Sequence, residues 1–292
     1  MHRTDLPGTT GAALFTPLAG AAPVIPGVAR RLTEPGGGDN RATYMPDGRS
    51  LLFASTRSGS SQIWTMNPDG GNPRRLHTST ANDAGRVAPS PDGMRLCFSS
   101  DRSGQSAIHV LNLRSGALAT LSDTAWWSFG PTWSARSQIA YFSRKGGNQI
   151  NLWTAQPDGT QARQITNQPG ESRQPWWSPD GASLAYAADH GSKAFQVWLA
   201  GADGTNARAI TAKGQWQQPY WSPDGRRLAV SAKLDEPRYR ILVLDLESGA
   251  AQPIEQPADV DNVHPAWSPD GRSIVFTSGE GERGALWQFA FA

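Results

Sequence analysis

The sequence predicts an all-β fold, in which six four-stranded antiparallel blades stand radially about one axis to make a six-bladed β-propeller. Three observations predict it. Trp-Ser-Pro-Asp-Gly recurs at 177–181, 221–225 and 267–271, each copy with Pro two places ahead of the Trp, and weaker copies at 44–48, 89–93 and 133–137 keep the same register. Their last residues, 48, 93, 137, 181, 225 and 271, are separated by 45, 44, 44, 44 and 46 residues, a period at which one supersecondary module repeats. Within each unit, short segments of alternating pattern are divided by Gly-containing turns, which reads as four strands. Finally, the last unit stops after its third strand, 285–289, and the missing piece stands near the start of the chain. There Ala29-Arg30-Arg31-Leu32-Thr33 matches Ala162-Arg163-Gln164-Ile165-Thr166 of an inner unit.

Taken in order, residues 1–26 are rich in Gly, Pro, Thr and Ala and read as a flexible leader or an outer strap. Residues 11–22 faintly resemble the apolar centre of a signal peptide, broken by Thr and Pro. The propeller is expected over 27–292, with the strand at 29–33 pairing with the sixth unit and hiding two sheet edges. The unit that begins at Trp177 shows the plan: a turn at 178–181, strand 183–187, loop 189–194, strand 195–199, turn 202–204 and strand 208–211. Each residue of the phrase has a structural task. Pro pre-sets the first central position of a tight turn, Asp bonds its own backbone nearby, and Gly accepts angles that other residues resist. Asp47, Asp92, Asp180, Asp224 and Asp270 are therefore expected to build turns rather than perform chemistry.

Composition narrows the partners. Net charge is +2 with 18% charged residues, so no strong field recommends nucleic acid or a membrane surface. No apolar run reaches membrane-spanning length, and insertion in a membrane is not expected. The single Cys97 excludes an internal disulfide and a cysteine-based zinc cluster, and falls in an expected strand as a buried thiol. One monomeric domain is expected, with no metal and no cofactor.

The phrase, together with Ser-x-Arg-x-Gly at 55–59 and 100–104, Ile-Trp, Asp-Gly and Arg-x-Leu-Thr, resembles the TolB-like propeller repeats, also called WD40-like PD40 repeats. The resemblance covers most of the chain. It implies the propeller fold and a periplasmic or secreted setting. It does not imply one activity, because similar repeats occur in a Tol-Pal component, in peptidase propellers, in oligogalacturonate lyases and in solitary binding proteins. The nucleophile elbow Gly-x-Ser-x-Gly of the peptidases is missing. The lyases similar in fold hold a metal with a His cluster, which five scattered histidines cannot easily supply.

In a propeller, the loops that lead into the innermost strands and those joining second to third strands share one face around the channel mouth. Three places before each Trp of the phrase stand Arg41, Arg86, Gly130, Gln174, Gln218 and His264. Arg173 lies one place further out, and Asp39, Asp83, Trp126, Trp127, Glu171, Trp216 and Asp261 lie farther along the same segments. Of twelve Trp residues, eight recur with the period and are expected to pack between strands, whereas Trp126, Trp127, Trp176 and Trp216 do not recur. Trp176 adjoins the phrase and is expected inside. The second-to-third-strand loops add Arg57, Arg102, Arg144, Lys145, Lys193 and Lys233.

Aromatic faces beside Arg and Gln suit a sugar ring or an extended peptide. The expected function is thus a non-enzymatic propeller that binds a peptide, saccharide or protein partner at the channel mouth. Its expected ligand-binding residues are Arg41, Arg86, Trp126, Trp127, Arg173, Gln174, Trp216, Gln218 and His264. The alternative is a lyase, hydrolase or isomerase acting on an oligosaccharide or small metabolite through His264 and a channel carboxylate such as Asp261 or Asp39.

Overall fold

The computed structural model describes residues 23–292 apart from Ala84, Lys213, Asp235, Glu236 and Glu280; most of the expected leader therefore lies outside the described residues. Six separate four-stranded antiparallel sheets form the propeller. Strand β1 is Gly27–Arg31, and blade 1 comprises β2 (Asn40–Tyr44), β3 (Leu51–Ser58), β4 (Ser60–Met66) and β5 (Arg74–Arg75). Blades 2 to 5 follow the same plan with inner strands β6 (Ala88–Pro89), β10 (Ser128–Trp133), β14 (Ser172–Trp177) and β18 (Gln215–Trp221). Blade 6 is assembled from both ends of the propeller: β22 (Asn262–Trp267), β23 (Ser273–Ser278), β24 (Ala285–Phe291) and then β1.

The closing pair runs from Gly27 opposite Phe291 to Arg31 opposite Trp287. Thr33 ends it, its hydroxyl accepting the Leu286 N–H at 3.0 Å, which explains a recurrent Thr after that strand in the sequence. The chain is already tied down before residue 27, where the Ile25 N–H donates to the Pro253 carbonyl at 2.9 Å beside blade 5.

The repeated phrase behaves as its chemistry dictates. In blade 4 the Ser178 hydroxyl donates to Asp180 at 2.6 Å and accepts the Ser183 N–H at 2.9 Å, while the Ala182 N–H donates to the same carboxylate at 2.9 Å. Gly48, Gly93, Gly181, Gly225 and Gly271 close these turns with φ between 67° and 71°. The third blade puts Ser137 there, at φ 62°. A left-handed angle costs an L-residue about 1–2 kcal/mol, partly offset because Gly loses about 0.5–1 kcal/mol more freedom on folding. Ser137→Gly should therefore raise stability by up to about 1 kcal/mol in a denaturant titration; a lowered midpoint would contradict this account of the turn. The phrase tryptophans Trp133, Trp177, Trp221 and Trp267 are buried between neighbouring blades, Trp221 for example against Val197 and Leu228. Among the described residues no helix is long and apolar enough to cross a membrane.

Candidate functional site in the central channel

Five of the six inner strands break register just before the phrase, between Asn40/Thr43, Phe129/Thr132, Arg173/Trp176, Gln217/Tyr220 and Val263/Ala266. The residue at the break takes a positive φ: Arg41 54°, Gly130 60°, Gln174 55°, Gln218 57° and His264 56°. These are the positions three before the phrase Trp. In four of them Pro follows, and a residue with no N–H to give the ladder is compatible with a bulge. A bulge bends the strand and re-aims its side chain, and here the side chains come from different blades towards one axis.

The same bulges lock the ring. The His264 N–H donates to Gln218 Oε1 at 2.7 Å, the Gln218 N–H to Gln174 Oε1 at 3.0 Å, the Arg41 N–H to Thr277 Oγ1 at 3.0 Å and the Gly130 N–H to Ser99 Oγ at 3.0 Å. Each bond joins a blade to the one before it. Gln174 and Gln218 are thus inter-blade clasps, and Gln218 Oε1 also accepts the Ser231 hydroxyl at 2.7 Å.

Along the axis, guanidinium groups flank stacked pairs of aromatic rings. At the loop face the Arg144 guanidinium lies 5.7 Å from the Trp127 ring, Trp127 stacks on Phe129 at 5.7 Å, and Arg41 lies 5.8 Å from Phe129. Deeper, Arg86 sits 4.6 Å from Trp176, which stacks on Tyr220 at 3.9 Å. Arg41, Arg86, His264, Trp176, Tyr220 and Thr43 surround a cavity of about 10 Å³. Burial lowers the Arg41 pKa and brings that of Arg86 down to about 10, which leaves Arg86 cationic at neutral pH. Burial first, then Arg41 and Arg86, hold His264 well below the usual histidine range. It is neutral, and its Nδ1 is buried without a hydrogen-bond partner.

The rim is neutralised. Asp39 pairs with Arg57, Asp83 with Arg102, Glu171 with Arg173, Asp123 with Lys145 at 3.7 Å and Asp261 with Arg238 at 4.0 Å. Much of the ring of cations expected in the loops is therefore engaged internally. So are the carboxylates expected near His264: Asp39 is held by Arg57, and Asp261 accepts the Tyr239 N–H at 2.7 Å. Among the described residues neither hydrogen-bonds the imidazole, and no group of three His, Cys, Asp or Glu could hold a metal.

Of the expected ligand contacts, the structure brings Arg41, Arg86 and His264 to one cavity and places Trp127 half-buried beside Phe129. Trp126 is exposed at 37%. Trp216 must be corrected: it is fully buried, packed with Val197, Leu199, Ile210 and Val230 between blades 4 and 5, and offers no face to a ligand. Trp176, expected inside, is half-buried and lines the channel together with Tyr220. Their signal was size. Immediately before the phrase the other blades carry Thr43, Ala88, Thr132 and Ala266, and only blades 4 and 5 carry a large ring. Beyond the Trp176–Tyr220 stack the channel widens towards the turn face into a funnel of about 250 Å³, lined by Pro46, Pro91, Pro179, Pro223 and Pro269.

A ring of blades with inward-aimed bulge residues defines a β-propeller built to present side chains at its axis. The TolB beta propeller domain family, PD40, matches residues 87–292, and the chain belongs to it. A curated relative, the Tol-Pal system protein TolB of Nitratidesulfovibrio vulgaris, is 44% identical over 46 residues, 16% of this chain and 10% of its own length, so the chain matches only a tenth of that protein. Among solved structures, a putative TolB from Agrobacterium tumefaciens is 21% identical with a TM-score of 0.68, covering 90% of this chain and 94% of that one. A gluconolactonase from Xanthomonas campestris is 13% identical with a TM-score of 0.69, covering 97% and 99%. At such identities the likeness shows the fold alone, shared by TolB proteins and enzymes.

Proposed function

We propose that this protein is a non-enzymatic binding propeller that takes a peptide, saccharide or protein partner at the loop-face mouth of its central channel. One observation carries the reading: side chains from several blades converge on the axis as guanidinium groups flanking stacked aromatic pairs, whereas the nearby carboxylates are already paired. Such an arrangement favours recognition of a flat or extended ligand by stacking and charge. His264, neutral and without a carboxylate partner among the described residues, lacks the companion that acid–base chemistry would require. Arg41 and His264 stand on strands paired into blades and clasped to the neighbouring blade, which lowers the ordering cost of ligand contact. Trp127, Trp126, Arg41, Arg86 and His264 make the contact in this reading, with Arg173 at the rim.

Arrays of extended peptides and of oligosaccharides, probed with the wild-type chain and with Trp127→Ala, test it. Losing one stacked ring should weaken a captured ligand by about 1 kcal/mol or more, roughly fivefold, measured at a temperature where both chains are fully folded. Ligands that bind both chains equally would overturn the placement, and turnover of a captured ligand would overturn the non-enzymatic reading.

A further inference from the structure

The geometry points to a terminal carboxylate as the group that this channel receives, an inference that rests on the channel-binding reading and names its deepest contact. Arg86 is only 8% exposed, yet among the described residues it has neither a hydrogen bond nor an ion pair. Buried charges in folded proteins are normally paired, because an unpaired one forfeits its hydration without compensation. The contrast with the rim is direct: Asp39 and Asp83, both fully buried, are matched by Arg57 and Arg102. Arg86 has instead a ring face, Trp176, and a second cation, Arg41, whose one side-chain hydrogen bond goes to the neighbouring Asn40 at 3.0 Å. The orphaned Nδ1 of His264 belongs to a residue of the same cavity. Two guanidinium groups and a neutral imidazole with no acid among them form a set of donors lacking an acceptor.

Size selects the acceptor. The cavity holds about one water, so a small flat group enters while the rest of the ligand stays outside against Phe129 and Trp127. A carboxylate is flat and accepts the forked N–H pair of a guanidinium, whereas a tetrahedral oxyanion is bulkier. Entry of the group requires the half-buried Arg41 side chain to shift from its place in the cavity lining.

The test is thermal unfolding of the whole chain in sodium acetate and sodium benzoate, each against sodium chloride of equal ionic strength, with inorganic phosphate and sulfate as further arms. Both carboxylates should raise the midpoint saturably and chloride should not, with benzoate acting at about tenfold lower concentration because its ring adds an aromatic contact. Arg86→Met should abolish the response while leaving the ligand-free midpoint equal to or above wild type, since it removes an uncompensated buried charge. Arg41→Gln should weaken the response about tenfold, and it decides the matter if Arg86→Met does not fold. No carboxylate response, a response that survives in the variants, or a response to phosphate or sulfate alone would overturn the assignment. Should the carboxylates do nothing while the arrays give a Trp127-dependent ligand, the carboxylate inference falls and the channel reading stands. An Arg86-dependent carboxylate response without any Trp127-dependent array ligand would sink the mouth reading and leave the anion site.

Discussion

Trp216→Ala should destabilise the protein by about 3–5 kcal/mol, the range for removing a buried large aromatic side chain. The ring is fully buried in the cluster shared by blades 4 and 5, where Val197, Leu199, Ile210, Leu228 and Val230 cannot all collapse into the space it leaves. Trp216→Phe retains most of the apolar contact and should cost less than half as much. Urea unfolding measures both. A Trp216→Ala protein as stable as wild type would mean that the ring is not part of the core, and would restore it as a candidate for ligand contact.

The second large effect is expected at Gln218. Its Oε1 holds both the His264 N–H and the Ser231 hydroxyl, each at 2.7 Å, in a site 6% exposed. Gln218→Ala strands a buried N–H and should cost about 2–3 kcal/mol, against about 1 kcal/mol for Ser231→Ala, which leaves the backbone bond intact. Since Gln174 Oε1 in turn accepts the Gln218 N–H, the pair Gln174→Ala and Gln218→Ala should be non-additive by at least about 0.5 kcal/mol. Strict additivity in denaturant titrations would show that the clasps act separately rather than as one belt.

These two residues also show what was legible in the sequence. The ring of six blades, its closing strand and the turn role of the Asp residues followed from the period and from local turn chemistry, which tertiary context does not alter. The special place of the positions three before the phrase followed from the same period, because there the inner strands bulge. Depth and side were harder. Trp127 stands six residues before its phrase Trp and Trp216 stands five before, and successive side chains of a strand point to opposite faces. Asp39, Ser128, Ser172 and Asn262 share the position of Trp216, and all are buried. A difference of one residue therefore sends one indole towards the mouth and the other between blades. The double duty of Gln174 and Gln218 was hidden for another reason: their partners are main-chain N–H groups one blade away, and nothing in the local sequence marks an inter-blade acceptor.

The pairing of β1 with β24 has a consequence for how the molecule comes into being. Arg30 and Gln288 meet across 258 residues of chain, joined at 2.7 Å. A ribosome releases β1 well before β24, so until β24 follows the first strand has no mate and blade 6 does not exist. Thr277, which fixes the backbone of Arg41, likewise emerges well after β1. The closed ring and its axial channel thus come into existence only once β24 has followed, and a product cut short before that strand would display an open β edge, prone to aggregation.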